Sequence, residues 1–167
     1  MASGETQINQ AEEREQAIVR RLRELGHRVT PQRLAIIRAF LADTGHPSAE
    51  QIFRRLHRQF PTMAASTVYN TLALLVRLGE AVEVSPATPE GRFDPHIGDH
   101  CHLICLKCKK IIDAPCSDAI DWDRSAEAAA SQGFEVVRQV HEVYGLCAEC
   151  RAEEERKGVV EGEEGAR

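Results

Sequence analysis

The sequence predicts an α+β protein built from two small domains, and three observations support this prediction. Apolar residues follow helical spacing through the first half of the chain, whereas the second half has short strand-like segments beside two Cys-x-x-Cys motifs. Charge is divided in the same way: the segment from Ala17 to Gly79 has ten arginines and three acidic residues, although the net charge is −5. A length of 167 residues suits one or two small cores.

The predicted domains are residues 12–93 and 94–152, and polar composition predicts disordered tails at residues 1–11 and 153–167. No apolar run approaches the ~18–20 residues that a membrane span needs, and the N-terminus lacks the apolar core of a signal peptide. We therefore expect a cytoplasmic protein with no membrane partner. Six cysteines without a secretion signal favour metal or redox chemistry over a disulfide framework.

The first half contains signals for four helices. A helical apolar stripe begins at Ile18, Thr30-Pro31 combines an N-cap with proline at the first helical position, and Ser48 to Gln51 forms a capping box. The fourth helix, roughly residues 65–78, turns apolar residues to one face and leaves the polar residues of its first turns on the other. A strand at residues 81–85, a turn through residues 86–91 and Arg92-Phe93-Asp94 follow. Helices before a short hairpin predict a winged helix-turn-helix, with the fourth helix in the DNA major groove.

The second half predicts a small α+β module. Short strands at residues 102–105 and 111–113 border the first Cys-x-x-Cys, a helical stretch covers 118–131, and residues 134–144 have strand propensity. Its apolar core is too small for the module to be stable without a bound metal or a similar cross-link. Two Cys-x-x-Cys pairs supply the four thiolates of a tetrahedral structural zinc; a dithiol redox motif is the alternative. These ligands are Cys105, Cys108, Cys147 and Cys150.

A second group contains histidine and aspartate. His100 and His102 alternate along a predicted strand and therefore point to one side, with Asp94 close in sequence and Asp113 on the partner strand. Mixed imidazole and carboxylate ligands suit Fe(II), Mn(II) or Zn(II). Spacing alone leaves open whether these are metal ligands or solvated surface histidines.

Five motifs in order resemble hallmarks of the ferric uptake regulator (Fur) family over roughly residues 15–152. They are His46-Pro47-Ser48-Ala49, Ser66 to Leu72, Arg92-Phe93-Asp94, Asp99 to Cys105 and Tyr144 to Cys150. The resemblance implies a metal-dependent repressor: a winged-helix domain, a zinc-bound dimerisation domain, a homodimer and a double-stranded DNA operator. The four cysteines would hold the structural zinc. The regulatory Fe(II) or Mn(II), at the hinge between domains, would be bound by His46, Asp94, His100, His102 and Asp113.

The resemblance also implies which residues contact DNA and which signal is sensed. Asp94 and the short Asp99-His100-Cys101-His102 segment are most similar to the peroxide-sensing branch, in which iron-catalysed oxidation of histidine ligands releases DNA. The histidines that would be oxidised are His46 and His100. Cys101 departs from that branch, where an aromatic residue is common. The implied DNA contacts are Arg33, Ser66, Thr67, Tyr69, Asn70 and Arg77.

The sequence is also compatible with three other functions. The protein could instead report iron or manganese supply, act as a thiol redox protein through its Cys-x-x-Cys pairs, or be a zinc-binding interaction module that does not bind DNA. No nucleophile–base arrangement or phosphate-binding loop is recognisable, so we expect no enzymatic turnover.

Overall fold

The protein is described from a computed structural model, which covers residues 3–84, 91–98, 100–115, 121–137 and 139–164. The chain divides into two compact units, here called the N-terminal domain (Met1–Ile97) and the C-terminal domain (Gly98–Arg167). The predicted wing turn at residues 86–90, Asp99 and Cys116 lie outside the described residues, as does the side chain of Trp122. No helix in the described ranges is long and apolar enough to span a membrane.

The N-terminal domain is a winged helix, as predicted. Its helices are α1 (Ser3–Glu24), α2 (Pro31–Leu41), α3 (Ala49–His57) and α4 (Ala65–Arg77), followed by the antiparallel pair β1 (Val82–Val84) and β2 (Arg92–Asp94). The Thr30 side chain accepts a hydrogen bond from the Arg33 N–H, and Ser48 and Gln51 complete the predicted capping box. The helices enclose one core, whose fully buried members include Ile18, Leu22, Ile36, Ile37, Phe40, Ile52, Val68, Leu72 and Leu75.

The C-terminal domain is a three-stranded sheet with two helices. Its elements are β3 (Cys101–Cys105), β4 (Ile111–Ala114), α5 (Trp122–Ser131), β5 (His141–Gly145) and α6 (Ala148–Glu164). The strand order is β4-β3-β5, with β3 antiparallel to β4 and parallel to β5. Parallel strands need a long crossover, and α5 lies in it. Strand β5 begins at His141, later than the strand propensity from Phe134 predicted.

The first and last helices are the longest elements of the described chain. Helix α1 begins at Ser3, and α6 continues to Glu164. Alanine, glutamate, glutamine and arginine, which are frequent in both helices, are strong helix formers. In α6, Arg151 and Glu155 add an ion pair one turn apart (3.8 Å), which favours the same conformation.

Candidate metal centres

Four cysteines meet where the sheet of the C-terminal domain joins α6. Cys105 ends β3 and Cys108 follows in the turn, whereas Cys147 and Cys150 lie on either side of the start of α6. Their sulfur atoms all lie within 4.8 Å of one another, and the Cys108 and Cys147 Sγ atoms are 3.7 Å apart. A zinc ion with Zn–S bonds of about 2.3 Å has sulfur–sulfur edges of about 3.8 Å in a tetrahedron. The sulfur geometry therefore fits a tetrahedral metal ion.

Backbone hydrogen bonds hold the two cysteine pairs together. The Leu106 N–H donates to the Gly145 carbonyl (2.8 Å), which ties the first turn to the end of β5. The Cys147 N–H donates to the Cys105 sulfur (3.4 Å). Lys109 closes the first turn at a φ of +62°, with its N–H donating to the Cys105 carbonyl (2.9 Å). These bonds bring together thiolates that are about forty residues apart in sequence.

The local environment shifts the pKa values of two of the thiols in opposite directions. The N–H groups of Cys147 and Cys108 lower the pKa of the Cys105 thiol to about 6, whereas burial raises the pKa of Cys150 to about 12. A divalent cation bound here would supply the positive charge that keeps all four cysteines as thiolates, and its binding would release protons. The four thiols are free, as a metal site requires.

Two histidines and an aspartate converge on one face of the sheet. The Nε2 atoms of His100 and His102 are 3.0 Å apart, and they lie 3.6 and 3.9 Å from the Asp113 Oδ1. Register places Asp113 directly opposite His102 on the neighbouring strand. The His100 Nδ1 lies 2.6 Å from the Gly98 carbonyl. This contact orients the imidazole ring so that its Nε2 points toward His102 and Asp113. We call His100, His102 and Asp113 the C-terminal half-site.

The N-terminal domain holds a second His/Asp pair. The His46 Nε2 and Asp94 Oδ2 atoms are 3.8 Å apart, and each residue is only 2% exposed. Asp94 ends β2, and its other oxygen accepts the His96 N–H at 2.8 Å. Burying an imidazole and a carboxylate is costly unless both are compensated, and a bound cation compensates both. We call His46 and Asp94 the N-terminal half-site.

Comparison with known proteins identifies the family. The family model described as the ferric uptake regulator family matches residues 24–144. The chain belongs to this family. The peroxide-responsive repressor PerR of Staphylococcus epidermidis is 35% identical over 132 residues, which are 79% of this chain and 87% of that protein. The chain is accordingly a Fur-family, metal-responsive transcriptional regulator.

Solved structures of Fur proteins share the fold. The ferric uptake regulator of Helicobacter pylori, described as having three functional metal-binding sites, aligns with a TM-score of 0.69 at 20% identity, over 84% of this chain and 93% of that chain. The ferric uptake regulator of Francisella tularensis, solved with iron, aligns with a TM-score of 0.61 at 26% identity, over 75% and 96%. The predicted winged helix and α+β domain are confirmed.

In this Fur-family winged helix, the predicted DNA contacts lie mainly on the exposed side of α4. Val68, Thr71 and Leu72 fill the buried side, whereas Tyr69 is 45% exposed. The apolar pattern of α4 predicted this exposed position for Tyr69. Its neighbours Ser66 and Asn70 are exposed and Thr67 is half-buried; Arg77, on the last turn, is also exposed. Arg33 is half-buried and donates to the Arg28 carbonyl.

Two features near the histidine and aspartate clusters were not predicted from the sequence. Cys101 lies between the two histidines, but strand alternation turns its side chain to the opposite face of β3, where it is disulfide-bonded. It is therefore outside the C-terminal half-site. Arg92 had no role beyond its place in a motif, yet its guanidinium donates to the His46 carbonyl at 3.1 Å. The only sequence signal for a role of Arg92 is its position two residues before Asp94.

Proposed function

We propose that the chain is a homodimeric DNA-binding repressor that responds to peroxide through iron-catalysed oxidation of regulatory-site histidines. One observation carries the proposal: each domain places a buried histidine within 4 Å of a carboxylate. We infer that the two half-sites share one regulatory ion, so that binding it fixes the angle between the domains. The structural ion at the four cysteines is Zn(II), and the protein acts in the cytoplasm.

The ligand chemistry supports Fe(II) or Mn(II) as the regulatory ion. The proposed set contains nitrogen and oxygen donors and no thiolate, which suits these metals better than Cu(I). An iron-loaded structure exists for the Francisella relative. Bound Fe(II) supplies one-electron chemistry with peroxide, which Mn(II) at the same site does not. His46 and His100 are the expected oxidation targets, and loss of either imidazole removes a ligand from one half-site.

Metal binding would be coupled to DNA binding through the winged helix. His46 immediately precedes Pro47 and the capping box that opens α3, and α3 packs against α4. A ligand on this segment links the ion to the helix whose exposed side has Ser66, Tyr69 and Asn70. Arginines of the basic N-terminal domain would supply phosphate contacts, so affinity should fall steeply with salt. The coupling is reciprocal: DNA should strengthen metal binding by the same factor.

Homodimer formation is supported by an apolar row across the sheet of the C-terminal domain. Register aligns Ile112, Leu103 and Val143 on one face, and their side chains are 43%, 39% and 53% exposed. β5 lies at one edge of this three-stranded sheet. An exposed apolar row that includes an edge strand favours association with a second copy.

The variant Val143→Asp should shift the protein from dimer to monomer, because it places a charge within the apolar row. We expect the dimer dissociation constant to rise by at least about tenfold, the effect of a 1.4 kcal/mol loss. Sedimentation velocity on zinc-loaded protein measures it. The matched control is Val137→Asp, at a residue that is 93% exposed and outside the strands, and it should remain dimeric. A dimer unchanged by Val143→Asp would contradict the assignment of this surface.

The peroxide mechanism is tested by gel shift on a duplex selected from random sequences by the Mn(II)-loaded protein. Micromolar peroxide should abolish binding of the Fe(II) form and leave the Mn(II) form bound. Mass spectrometry should then find one added oxygen on the peptide containing His46 or His100. Retained binding of the Fe(II) form, with both peptides unmodified, would reject peroxide sensing and support the second candidate, a repressor that reports iron or manganese supply.

A further inference from the structure

His46 has a backbone conformation that its sequence does not favour. Its φ is +53°, in the left-handed region that non-glycine residues seldom occupy, and the residue before a proline is normally extended. Such conformations are energetically unfavourable and persist only where surrounding contacts impose them. The contacts that impose this one therefore determine where the His46 imidazole points.

Two contacts to this segment come from strand β2. The Arg92 guanidinium donates from one nitrogen to the His46 carbonyl (3.1 Å) and to the Gln51 Oε1 (3.2 Å). The next residue of the strand, Phe93, donates its N–H to the Pro47 carbonyl (3.1 Å). Two consecutive carbonyls of the loop are therefore held by two consecutive residues of the strand, directly before Asp94.

The Gln51 side chain joins this contact to the start of α3. Its Oε1 accepts the Ser48 N–H (2.8 Å) as half of the capping box, and it also accepts the Arg92 guanidinium. A single oxygen thus connects the loop that contains His46, the first turn of α3 and the strand that ends in Asp94. Loss of the Arg92 donor leaves the capping box intact but removes this hydrogen bond from the His46 carbonyl.

We propose that Arg92 is a positioning residue for the regulatory metal: by holding the His46 carbonyl and Gln51, it preorganises His46 against Asp94 before an ion binds. This inference rests on the proposed function, because it requires His46 to be a ligand. Fixing a ligand in advance spares binding the cost of ordering it, and substitutions of such supporting groups typically reduce metal affinity 10–100-fold.

The test compares Mn(II) affinity and amide exchange in full-length, zinc-loaded variants. Arg92→Met should weaken Mn(II) binding by about tenfold. Arg92→Lys should recover part of the loss, because its ammonium can still donate to these acceptors but is carried on a shorter side chain. In metal-free protein, exchange of the Phe93 amide should accelerate in Arg92→Met, whereas amides in the middle of α2 stay unchanged. The control is Arg54→Met, on α3, where Arg54 pairs only with the exposed Glu50 in the described contacts.

The outcomes separate this inference from the proposal on which it rests. If His46→Gln weakens Mn(II) binding and Arg92→Met does not, His46 is a ligand and the positioning role of Arg92 is rejected. If His46→Gln has no effect on Mn(II) affinity, the proposed regulatory site itself fails. Faster exchange throughout the domain with unchanged Mn(II) affinity would show that Arg92 serves general stability only, and would also overturn the inference.

Discussion

Replacing Cys108 by serine is expected to remove the structural zinc and unfold the C-terminal domain. Cys108 is exposed, so its thiol contributes little to the apolar core, and a large effect would have to come through a metal. Structural zinc contributes on the order of 10–16 kcal/mol of apparent binding free energy in small domains. That exceeds the stabilisation that the apolar core of this small domain can supply alone, since several of its described apolar residues, such as Phe134, Val137 and Val143, are exposed.

The expected result is sub-stoichiometric zinc by mass spectrometry under native conditions, with loss of dispersed amide signals from the C-terminal domain and their retention in the N-terminal domain. The control is Cys101→Ser, compared under reducing conditions so that the disulfide of this buried cysteine is open in both proteins. Cys101 lies on the same strand but outside the thiol cluster, so the variant should keep one zinc per protomer. A Cys108→Ser protein that folds normally without zinc would show that the four cysteines are not a structural centre. It would reopen the thiol redox alternative.

Replacing His102 by alanine is expected to uncouple DNA binding from the regulatory metal. His102 is 1% exposed, lies opposite Asp113 and is 3.0 Å from the His100 Nε2, so the C-terminal half-site depends on it. Coupling between two sites is typically worth 1–3 kcal/mol, or about 5–150-fold in affinity. Mn(II) should therefore tighten operator binding of the normal protein by about 10–100-fold and that of the variant by less than about twofold.

Fluorescence anisotropy with a labelled duplex, in the presence and absence of Mn(II), measures this coupling. His96→Ala is the matched control, because His96 is an exposed histidine near Asp94 and should leave the Mn(II) effect intact. Zinc content and thermal stability of the metal-free variants exclude a folding defect. A His102→Ala protein that still responds fully to Mn(II) would remove the C-terminal half-site from the mechanism.

The sequence predicted what depends on local signals. The Thr30-Pro31 start, the Ser48 capping box and the exposed Tyr69 follow from residue types at fixed offsets, and the structure agrees with each. Paired Cys-x-x-Cys motifs have few physical uses, so the cysteine cluster could be predicted although its two halves are far apart along the chain.

Features that depend on tertiary contacts were not predictable. His46 has a positive φ, and its carbonyl accepts a hydrogen bond from Arg92, which lies 46 residues later in the chain. Strand β5 begins at His141, which pairs with Cys101 at the start of β3, so its first residue depends on a strand about forty residues earlier. Lys107 forms ion pairs with Glu153 and Glu154 of α6. The sequence of α6 alone does not predict these pairs, because Lys107 lies far earlier in the chain.

The measurement that tests the central claim most directly is a Mn(II) titration of zinc-loaded protein, with free Mn(II) counted by electron paramagnetic resonance. The account predicts one regulatory Mn(II) per protomer, and loss of that same site both in His46→Gln, from the N-terminal half-site, and in His102→Ala, from the C-terminal half-site. If either variant keeps a Mn(II) site of normal affinity, the two half-sites do not share one ion, and metal binding cannot set the angle between the domains.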